Sequence, residues 1–346
     1  MLQKTAYTLI ILIAIVVTLS FGQSLIIPFV FALLLWFIVR MMRIQFDKIP
    51  FVKKRFPSWL KNLVPSLIIL VILGVASKVI STNIQDLAES YEKYEANIDL
   101  LIDQASDAFG IDIMSILKGQ SGDLDFGTIL SSIFDSLTDI LGSAFMILIY
   151  GLFIFLEEVF FKTKLQHAFS KAEQYDKVSH ILGNIQKSVT TYLGMKTLIS
   201  LITGVASYIA LIIIGIDSPI FWAFLIFLLN FIPTIGSLVG TLFPATFCLL
   251  QFGEFTPGIM VLVFVGAIQV VVGNILEPRL MGNSMNISPL VAIASLTIWG
   301  AIWGVTGMIL SVPITVITII VFSEFPQTRP IAILLSEKGI IKDINK

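Results

Sequence analysis

The chain has 346 residues, of which 56% are hydrophobic and 13% are charged, and its formal net charge is −1. A soluble domain carries about a quarter charged residues, so most of this chain is predicted to lie inside a bilayer. The near-zero charge, without basic runs interleaved with aromatic residues, excludes a nucleic-acid-binding protein. One cysteine, Cys248, excludes an intrachain disulfide. Metalloprotease, serine-hydrolase, P-loop and dinucleotide-binding signatures are missing, so neither an enzyme nor a cofactor or metal site is predicted.

The N-terminal segments predict membrane-spanning helices. Residues 6–21 and 24–39 form a predicted hairpin turned at Gly22, and the first of them is taken as a retained span because no cleavage site follows it. The next stretch, 40–62, holds seven Lys or Arg and one acid, which places it in the cytoplasm by the positive-inside rule. Residues 63–80 then cross outward, so that residues 1–80 make up the N-terminal membrane region.

Residues 81–140 have the composition of an acidic extracytoplasmic insert, with twelve Asp or Glu and only Lys93 and Lys118 as basic residues. Apolar residues recur there in steps of three and four, which predicts helices folding on one another as an external cap. Two alternatives remain open: the same apolar seam meets its copy in a neighbouring subunit, or the acidic face gathers cations. The seam comprises Ile84, Leu87, Tyr91, Tyr94, Ile98, Leu101 and Ala105.

Residues 141–196 predict one more transmembrane helix followed by a cytoplasmic amphipathic helix. The span 141–160 returns inward and ends at Glu157 and Glu158, which are expected to be interfacial. Six Lys, two acids and both histidines lie between residues 162 and 196, so this segment is predicted to be cytoplasmic, and the histidines to be solvated surface. Its apolar helical face is formed by Val178, Ile181, Leu182, Ile185, Val189 and Tyr192.

The C-terminal half, residues 197–323, is predicted to be the transport core, and residues 324–346 a cytoplasmic tail. Two segments are long enough for full spans, residues 197–215 and 257–276. The others are short segments in two pairs, 219–232 with 236–252 and 288–303 with 306–322. Each pair either spans the membrane or re-enters it. Each pair opens on Ser-Pro and carries a later proline, Pro244 or Pro313, at spacings of 25 and 24 residues. The pattern indicates an inverted repeat of interrupted helices, with coincidence as the alternative.

Polar and small residues on the span ending at Glu277 predict the transport pathway. Steps of about 100° per residue put Gly266, Gln269, Gly273 and Glu277 on one stripe beside Asn274, and lipid could not satisfy such a stripe. Glu277 is the candidate protonatable or cation-coupled group, and Arg279 is placed to pair with it or to bind an anionic head group. The alternative is that Glu277, Pro278 and Arg279 only end a helix at the interface.

The helix breaks supply further candidates. Asn230 precedes the break at Pro233, where its amide is placed to bond a polar substrate or ion, or else to cap the break. Gly236 with Gly240, and Gly300 with Gly304, have the spacing of close helix packing. Two tryptophans one turn apart, Trp299 and Trp303, suit either an interfacial belt or a pathway wall.

At NFIPTIGSLVG, LEPRLMG and SPLVAIASLTIWGAIWGVTGMILSVP, the chain resembles the autoinducer-2 exporter (AI-2E) family of bacterial membrane proteins, and the order of segments extends the similarity over nearly the whole chain. The resemblance implies about eight transmembrane segments, both termini cytoplasmic, the bacterial plasma membrane and a homo-oligomer, with a pentamer as one candidate. It also implies export of autoinducer-2, or sodium/proton antiport as in other members. The family pattern falls on Asn230, Pro233, Gly236, Glu277, Pro278, Gly282, Trp299, Gly300, Trp303, Gly304, Gly307 and Pro313.

The sequence therefore predicts an all-α polytopic membrane protein that exports a small polar solute, autoinducer-2 foremost. A monovalent cation/proton antiporter is the alternative within transport, and a scaffold or passive pore with a partner-binding cap is the alternative outside it. The predicted partners are the lipid bilayer, the solute or cation, and further copies of the chain. Pathway residues are Asn230, Pro233, Gly236, Gln269, Gly273, Asn274, Glu277, Arg279, Trp299 and Trp303; packing and break residues are Gly240, Pro244, Pro278, Gly282, Gly300, Gly304, Gly307 and Pro313.

Overall fold

The elements of this computed structural model are helical, and no strand occurs in the residues it describes, which are 2–47, 142–169, 171–281 and 286–339 with single positions between 64 and 106. The predicted all-α fold is confirmed. Several predicted features lie outside the described residues: Gly282, the basic residues 48–62, most of the acidic insert, and all of its apolar seam except Leu101. The helices are α1 (Leu2–Phe21), α2 (Gln23–Asp47), α3 (Ala144–Ala168), α4 (Ala172–Ile214), α5 (Pro219–Leu229), α6 (Ile235–Phe252), α7 (Phe255–Val271), a π-helical turn (Val272–Leu276), α8 (Glu277–Met281), α9 (Pro289–Ser323) and α10 (Arg329–Leu335).

Six helical stretches in this part of the chain are long and apolar enough, by length and composition, to cross a membrane. They are Gln23–Phe46, Ala144–Ala168, Ala172–Ile214, Ile235–Phe252, Phe255–Met281 and Pro289–Ser323. The chain is thus a multi-pass membrane protein. Its predicted total of eight spans stays a prediction.

The chain divides into two compact units, which are described separately. Unit 1 comprises residues 1–66, 132–194 and 283–346, and unit 2 comprises residues 67–131 and 195–282. Within unit 1, α2 packs against α3, α1 contacts α2 and α9, and α10 packs against α9. Within unit 2, α6 packs against both α5 and α7. The predicted core 197–323 is therefore shared between the two units.

Helix α4 is continuous over 43 residues, a length of about 65 Å at 1.5 Å per residue. The sequence predicted an amphipathic helix up to residue 196 and a span from residue 197; the structure joins the two in one helix, and the interfacial location of the first part stays a prediction. No proline interrupts α4, and the charge at Lys196, which suggested a cytoplasmic end, is buried. Residues 172–194 of the helix belong to unit 1 and residues 195–214 to unit 2.

In unit 2, α5 and α6 form a helical hairpin whose tip is the segment 230–234. The arms approach so closely that a Cβ on Gly236 would overlap the carbonyl oxygen of Leu229, and Gly240 lies against Ile226. Helix α5 is about 16 Å long, which is too short for a hydrocarbon core of about 30 Å. The pair 219–252 is thus a short arm and a longer return arm.

In unit 1, α9 is also a hairpin rather than one straight helix. Gly304 has φ +60° and ψ −143°, a conformation open only to glycine, and the helix reverses there. Gly307 lies against the carbonyl of Trp299, and the Ser295 hydroxyl is 2.5 Å from that of Thr315. Residues 289–302 and 305–323 are therefore antiparallel arms, as the short segments 288–303 and 306–322 predicted.

The two hairpins share their internal plan. Each opens on Ser-Pro, reverses at a short tip, brings the arms together at glycine, and carries a buried proline, Pro244 or Pro313, in the return arm. The inverted arrangement of the two in the membrane stays a prediction.

Side chains from the acidic insert bind the end of α6 within unit 2. The Asn97 amide donates to the carbonyls of Leu250, at 2.7 Å, and Gln251, at 3.1 Å, while Gln104 donates to that of Gly253 at 2.9 Å. The last carbonyls of a helix have no partner inside it, so these amides act as a cap. This part of the insert is integral to unit 2.

We expect Gly236→Ala to lower the apparent Tm of the purified protein by several degrees. The added methyl has no space beside the Leu229 carbonyl, and overpacking of this kind costs about 1–3 kcal/mol. The matched control is Gly266→Ala on α7, whose Cβ would meet only ordinary contact with Thr241. Equal thermal stability of the two variants would contradict the close-packed hairpin.

Candidate transport site

One face of α4 in unit 2 is polar and buried. Lys196, Ser200, Thr203 and Ser207 follow one another in steps of four, three and four residues, and all are less than 5% exposed. This spacing keeps them on one side of a helix that is otherwise apolar. Such side chains in a membrane span must face protein or an aqueous cavity. This face was not predicted, although its spacing is visible in the sequence.

Lys196 forms an ion pair with Glu277 of α8. The ammonium nitrogen lies 2.6 Å from a carboxylate oxygen, and the side chains are 5% and 23% exposed. Of the two roles predicted for Arg279, the structure does not show pairing with Glu277, because Glu277 is bonded to Lys196 and Arg279 is exposed; binding of an anionic head group stays a prediction. Charge counting assigned Lys196 to the cytoplasmic segment, since position in the sequence does not reveal a carboxylate 81 residues away.

Asn230, at the tip of the α5–α6 hairpin, is also joined to α4. Its amide nitrogen donates to the Ser200 hydroxyl at 3.1 Å, and the side chain is buried. The amide therefore bonds to a neighbouring helix rather than capping the break. Ser200 lies one turn after Lys196, so the hairpin tip and the ion pair meet the same stretch of α4.

The tip itself is strained at Thr234. This residue has φ +63° and ψ −55°, and the Ile235 amide donates to the Pro233 carbonyl at 2.6 Å, which defines a γ-turn. A β-branched residue in such a conformation costs about 1–3 kcal/mol, and strain of this kind concentrates at functional sites. The strained turn lies four residues from Asn230.

Gln269 of α7 presents an unpaired donor to the hairpin. The side chain is 7% exposed, and its Nε2 has no hydrogen-bond partner among the residues the structure describes. The nitrogen faces Gly240, where a built Cβ would lie 3.3 Å from it. A buried donor without a partner costs about 1–3 kcal/mol, so a polar solute that accepted this hydrogen bond would recover that cost.

The predicted polar stripe on α7 is interrupted after Gln269. The π-helical turn Val272–Leu276 adds a residue to that turn, so the regular 100° step assumed for the stripe is wrong beyond it. Gly273 and Asn274 consequently lie on the exposed side of the helix, whereas Glu277 returns to the inner side. The buried face is formed by Val261, Val265, Gln269 and Val272.

The tryptophans lie in unit 1, at the tip of the α9 hairpin. Trp303 is buried, and its indole N–H donates to the Leu19 carbonyl of α1 at 3.0 Å. The Trp299 ring lies 5.1 Å from that of Trp303, and Gly300 lies beneath Met308. The bond to α1 gives Trp303 a structural role that neither predicted alternative included.

Within unit 2, then, the structure joins Asn230 to Ser200 and Glu277 to Lys196 on neighbouring turns of α4, and it places the Gln269 amide against Gly240 of the α5–α6 hairpin. Pro233 and Gly236 shape the hairpin tip beside them. In the described part of the chain no cluster of three or more His, Cys, Asp or Glu is suited to hold a metal ion. The arrangement can exchange hydrogen bonds with a polar solute and holds one neutralised pair of charges.

Apolar spans, interrupted helices closed into hairpins and a buried polar cluster define the class of membrane transporters. The sequence matches the profile of the AI-2E family transporter over residues 9–327. The chain belongs to this family.

Several curated proteins are similar to it. A provisionally named transport protein of Haemophilus influenzae is 27% identical over 350 residues, with 97% of each chain covered. Another of Borreliella burgdorferi is 32% identical over 245 residues, which is 68% of this chain and 67% of that protein. The AI-2 transport protein TqsA of Escherichia coli K12 is 36% identical over 210 residues, which is 61% of this chain and 60% of TqsA.

We expect Glu277→Gln to destabilise unit 2 by about 3 kcal/mol, since it leaves the Lys196 ammonium buried without a counter-charge. The double variant Lys196→Met with Glu277→Leu removes both charges and should recover most of this loss. Thermal unfolding of the purified variants measures both effects.

The control is Glu254→Gln, which makes the same change at an exposed position of unit 2. It should unfold as the wild type does. A double variant less stable than Glu277→Gln would contradict a coupled pair.

Proposed function

We propose that this transporter exports a small, neutral, hydrogen-bonding solute, and that autoinducer-2 is its substrate. Two findings support the choice: the similarity to the protein named AI-2 transport protein TqsA, and the predominance of uncharged donors and acceptors in the unit 2 cluster. We further propose the bacterial inner membrane with cytoplasmic termini, since the basic stretch 40–62 favours that orientation.

The unpaired Gln269 nitrogen is the observation that carries the proposal. A site for a polyhydroxylated solute needs donors and acceptors whose partners are supplied by the solute. Gln269 Nε2 meets this condition, because it is buried and has no partner within the described ranges. Gly240 opposite it has no side chain, so the amide faces backbone rather than a competing group.

The Asn230–Ser200 bond gives the cluster a means of opening. This hydrogen bond ties the strained α5–α6 tip to α4. A solute with several hydroxyls can bond Asn230 with one of them and Ser200 with another, so its arrival would release the tip without leaving either side chain unpaired. The sequence has no ATP-binding motif, so uphill transport would draw on an ion gradient or on another protein.

In proteoliposomes loaded with autoinducer-2, we expect Gln269→Leu and Asn230→Leu to reduce solute flux at least tenfold. Each change removes a hydrogen-bonding group worth about 1.4 kcal/mol or more in a desolvated site. The matched control is Asn274→Leu, an amide one turn farther along but on the exposed side. Flux lost in Asn274→Leu and retained in Gln269→Leu would contradict the proposed site.

The Lys196–Glu277 pair favours a second candidate, a monovalent cation/proton antiporter. A cation that binds the Glu277 carboxylate must displace the Lys196 ammonium, and a proton on Glu277 would weaken the same pair. Under this mechanism a sodium gradient drives a pH change in proteoliposomes, Glu277→Gln abolishes it, and Glu254→Gln does not. Autoinducer-2 flux without any sodium-driven pH change would exclude the antiporter.

A further inference from the structure

Unit 1 contains a cavity of about 850 Å³ whose lining residues all belong to that unit. Helices α2 and α3 and the first part of α4 line it. Its volume lies within the range of small-molecule sites in proteins. Phe29 and Phe153 on its wall are 43% and 62% exposed, so the cavity reaches the surface of the unit.

The cavity changes from apolar to charged along its length. The apolar end is formed where Phe29 of α2 meets Tyr150 of α3, with ring centroids 5.7 Å apart. Eleven residues farther along α2, about 16 Å at 1.5 Å per residue, Arg40 meets Glu158 of α3. This charged end is the one from which α2 leads into the basic stretch 40–62.

At the charged end the acids are already neutralised. One oxygen of Glu158 accepts from the Trp36 indole at 2.8 Å and the other from Arg40 at 3.0 Å, while Arg40 also lies over the Trp36 ring. Glu157 pairs with Lys164. Lys162 lines the cavity without an ion pair to any residue the structure describes. A ligand therefore meets unopposed positive charge and the remaining donors of Arg40.

We propose that this cavity binds an anionic phospholipid, with its phosphate at Lys162 and Arg40 and an acyl chain toward Phe29 and Tyr150. The direction of the charge gradient matches the polarity of a lipid molecule. Basic pockets between transmembrane helices bind acidic lipid head groups, because such a pocket supplies positive charge beside an apolar wall. An organic cation fits less well, since the two carboxylates that could receive it are engaged.

Trp36 makes the site directly measurable. The full-length protein is placed in phosphatidylcholine bilayers that contain a few mole per cent of phosphatidylglycerol brominated near the head-group end of its chains. Because the chain has five tryptophans, the Trp36 signal is taken as the difference between the wild type and Trp36→Phe. We expect brominated phosphatidylglycerol to quench this signal, and brominated phosphatidylcholine to quench it less. Equal quenching by both lipids would overturn the proposal.

Lys162→Gln tests the phosphate contact without disturbing the Trp36–Glu158–Arg40 group. We expect it to weaken apparent binding of the brominated phosphatidylglycerol about fivefold, the usual contribution of one basic residue at a membrane surface. The matched control, Lys171→Gln, removes an exposed charge nearby that does not line the cavity, and it should bind as the wild type does. No difference between the two variants would overturn the assignment.

The same preparation distinguishes the phospholipid from two other occupants of the cavity. A brominated fatty acid that quenches Trp36 as strongly as the phospholipid would show a site for any acidic amphiphile and overturn the phospholipid assignment. A second copy of the chain is tested with Phe153→Cys, since the natural Cys248 is buried. Efficient thiol cross-linking into dimers, with Trp36 unquenched by lipid, would show that the face is a subunit contact.

Discussion

Interrupted helices at membrane depth must satisfy their own backbone, because the hydrocarbon supplies no water to do so. The tip of the α5–α6 hairpin meets this constraint with local bonds. The Ile232 amide donates to the Leu229 carbonyl at 2.8 Å, and the Gly236 amide donates to Ile232 at 3.1 Å. With the turn closed by local bonds, to which the Ser237 hydroxyl adds one to the Thr234 carbonyl, the side chain of Asn230 remains available to bond Ser200 on α4. The Asn230–Ser200 contact thus depends on a turn whose backbone groups are bonded locally.

Glycine makes that turn possible by letting the arms touch. Gly236 and Gly307 occupy equivalent places in the two hairpins, each against a carbonyl of the opposite arm. Any side chain there would hold the arms apart and expose the tip. In unit 2 the close approach of the arms also leaves Gly240 facing Gln269, so a residue needed for packing determines what the buried amide meets. The same glycines therefore serve both the packing of the hairpin and the candidate transport site.

Local sequence signals predicted the interruptions but not their partners. The stretch NFIPTIG predicted a helix break because proline and glycine are poor helix residues. The boundary near Trp303 and Gly304, between two short apolar segments, predicted the reversal of α9. The pairing of Lys196 with Glu277, and of Trp36 and Arg40 with Glu158, joins residues about 80 to 120 positions apart. Periodicity cannot supply such contacts. The π-helical turn could not be predicted either, because one extra residue in a helical turn does not change the pattern of an apolar sequence.

The capping of α6 by Asn97 and Gln104 affects how the acidic insert can be manipulated. Excising the insert would remove the side-chain donors of three carbonyls at the end of a return arm, so the damage would reach the hairpin that holds the candidate site. A loss of transport after such an excision would therefore not show that the insert handles the solute. A deletion confined to residues 107–131 keeps the Asn97 and Gln104 amides in place. It is therefore the better test of what the insert contributes to transport.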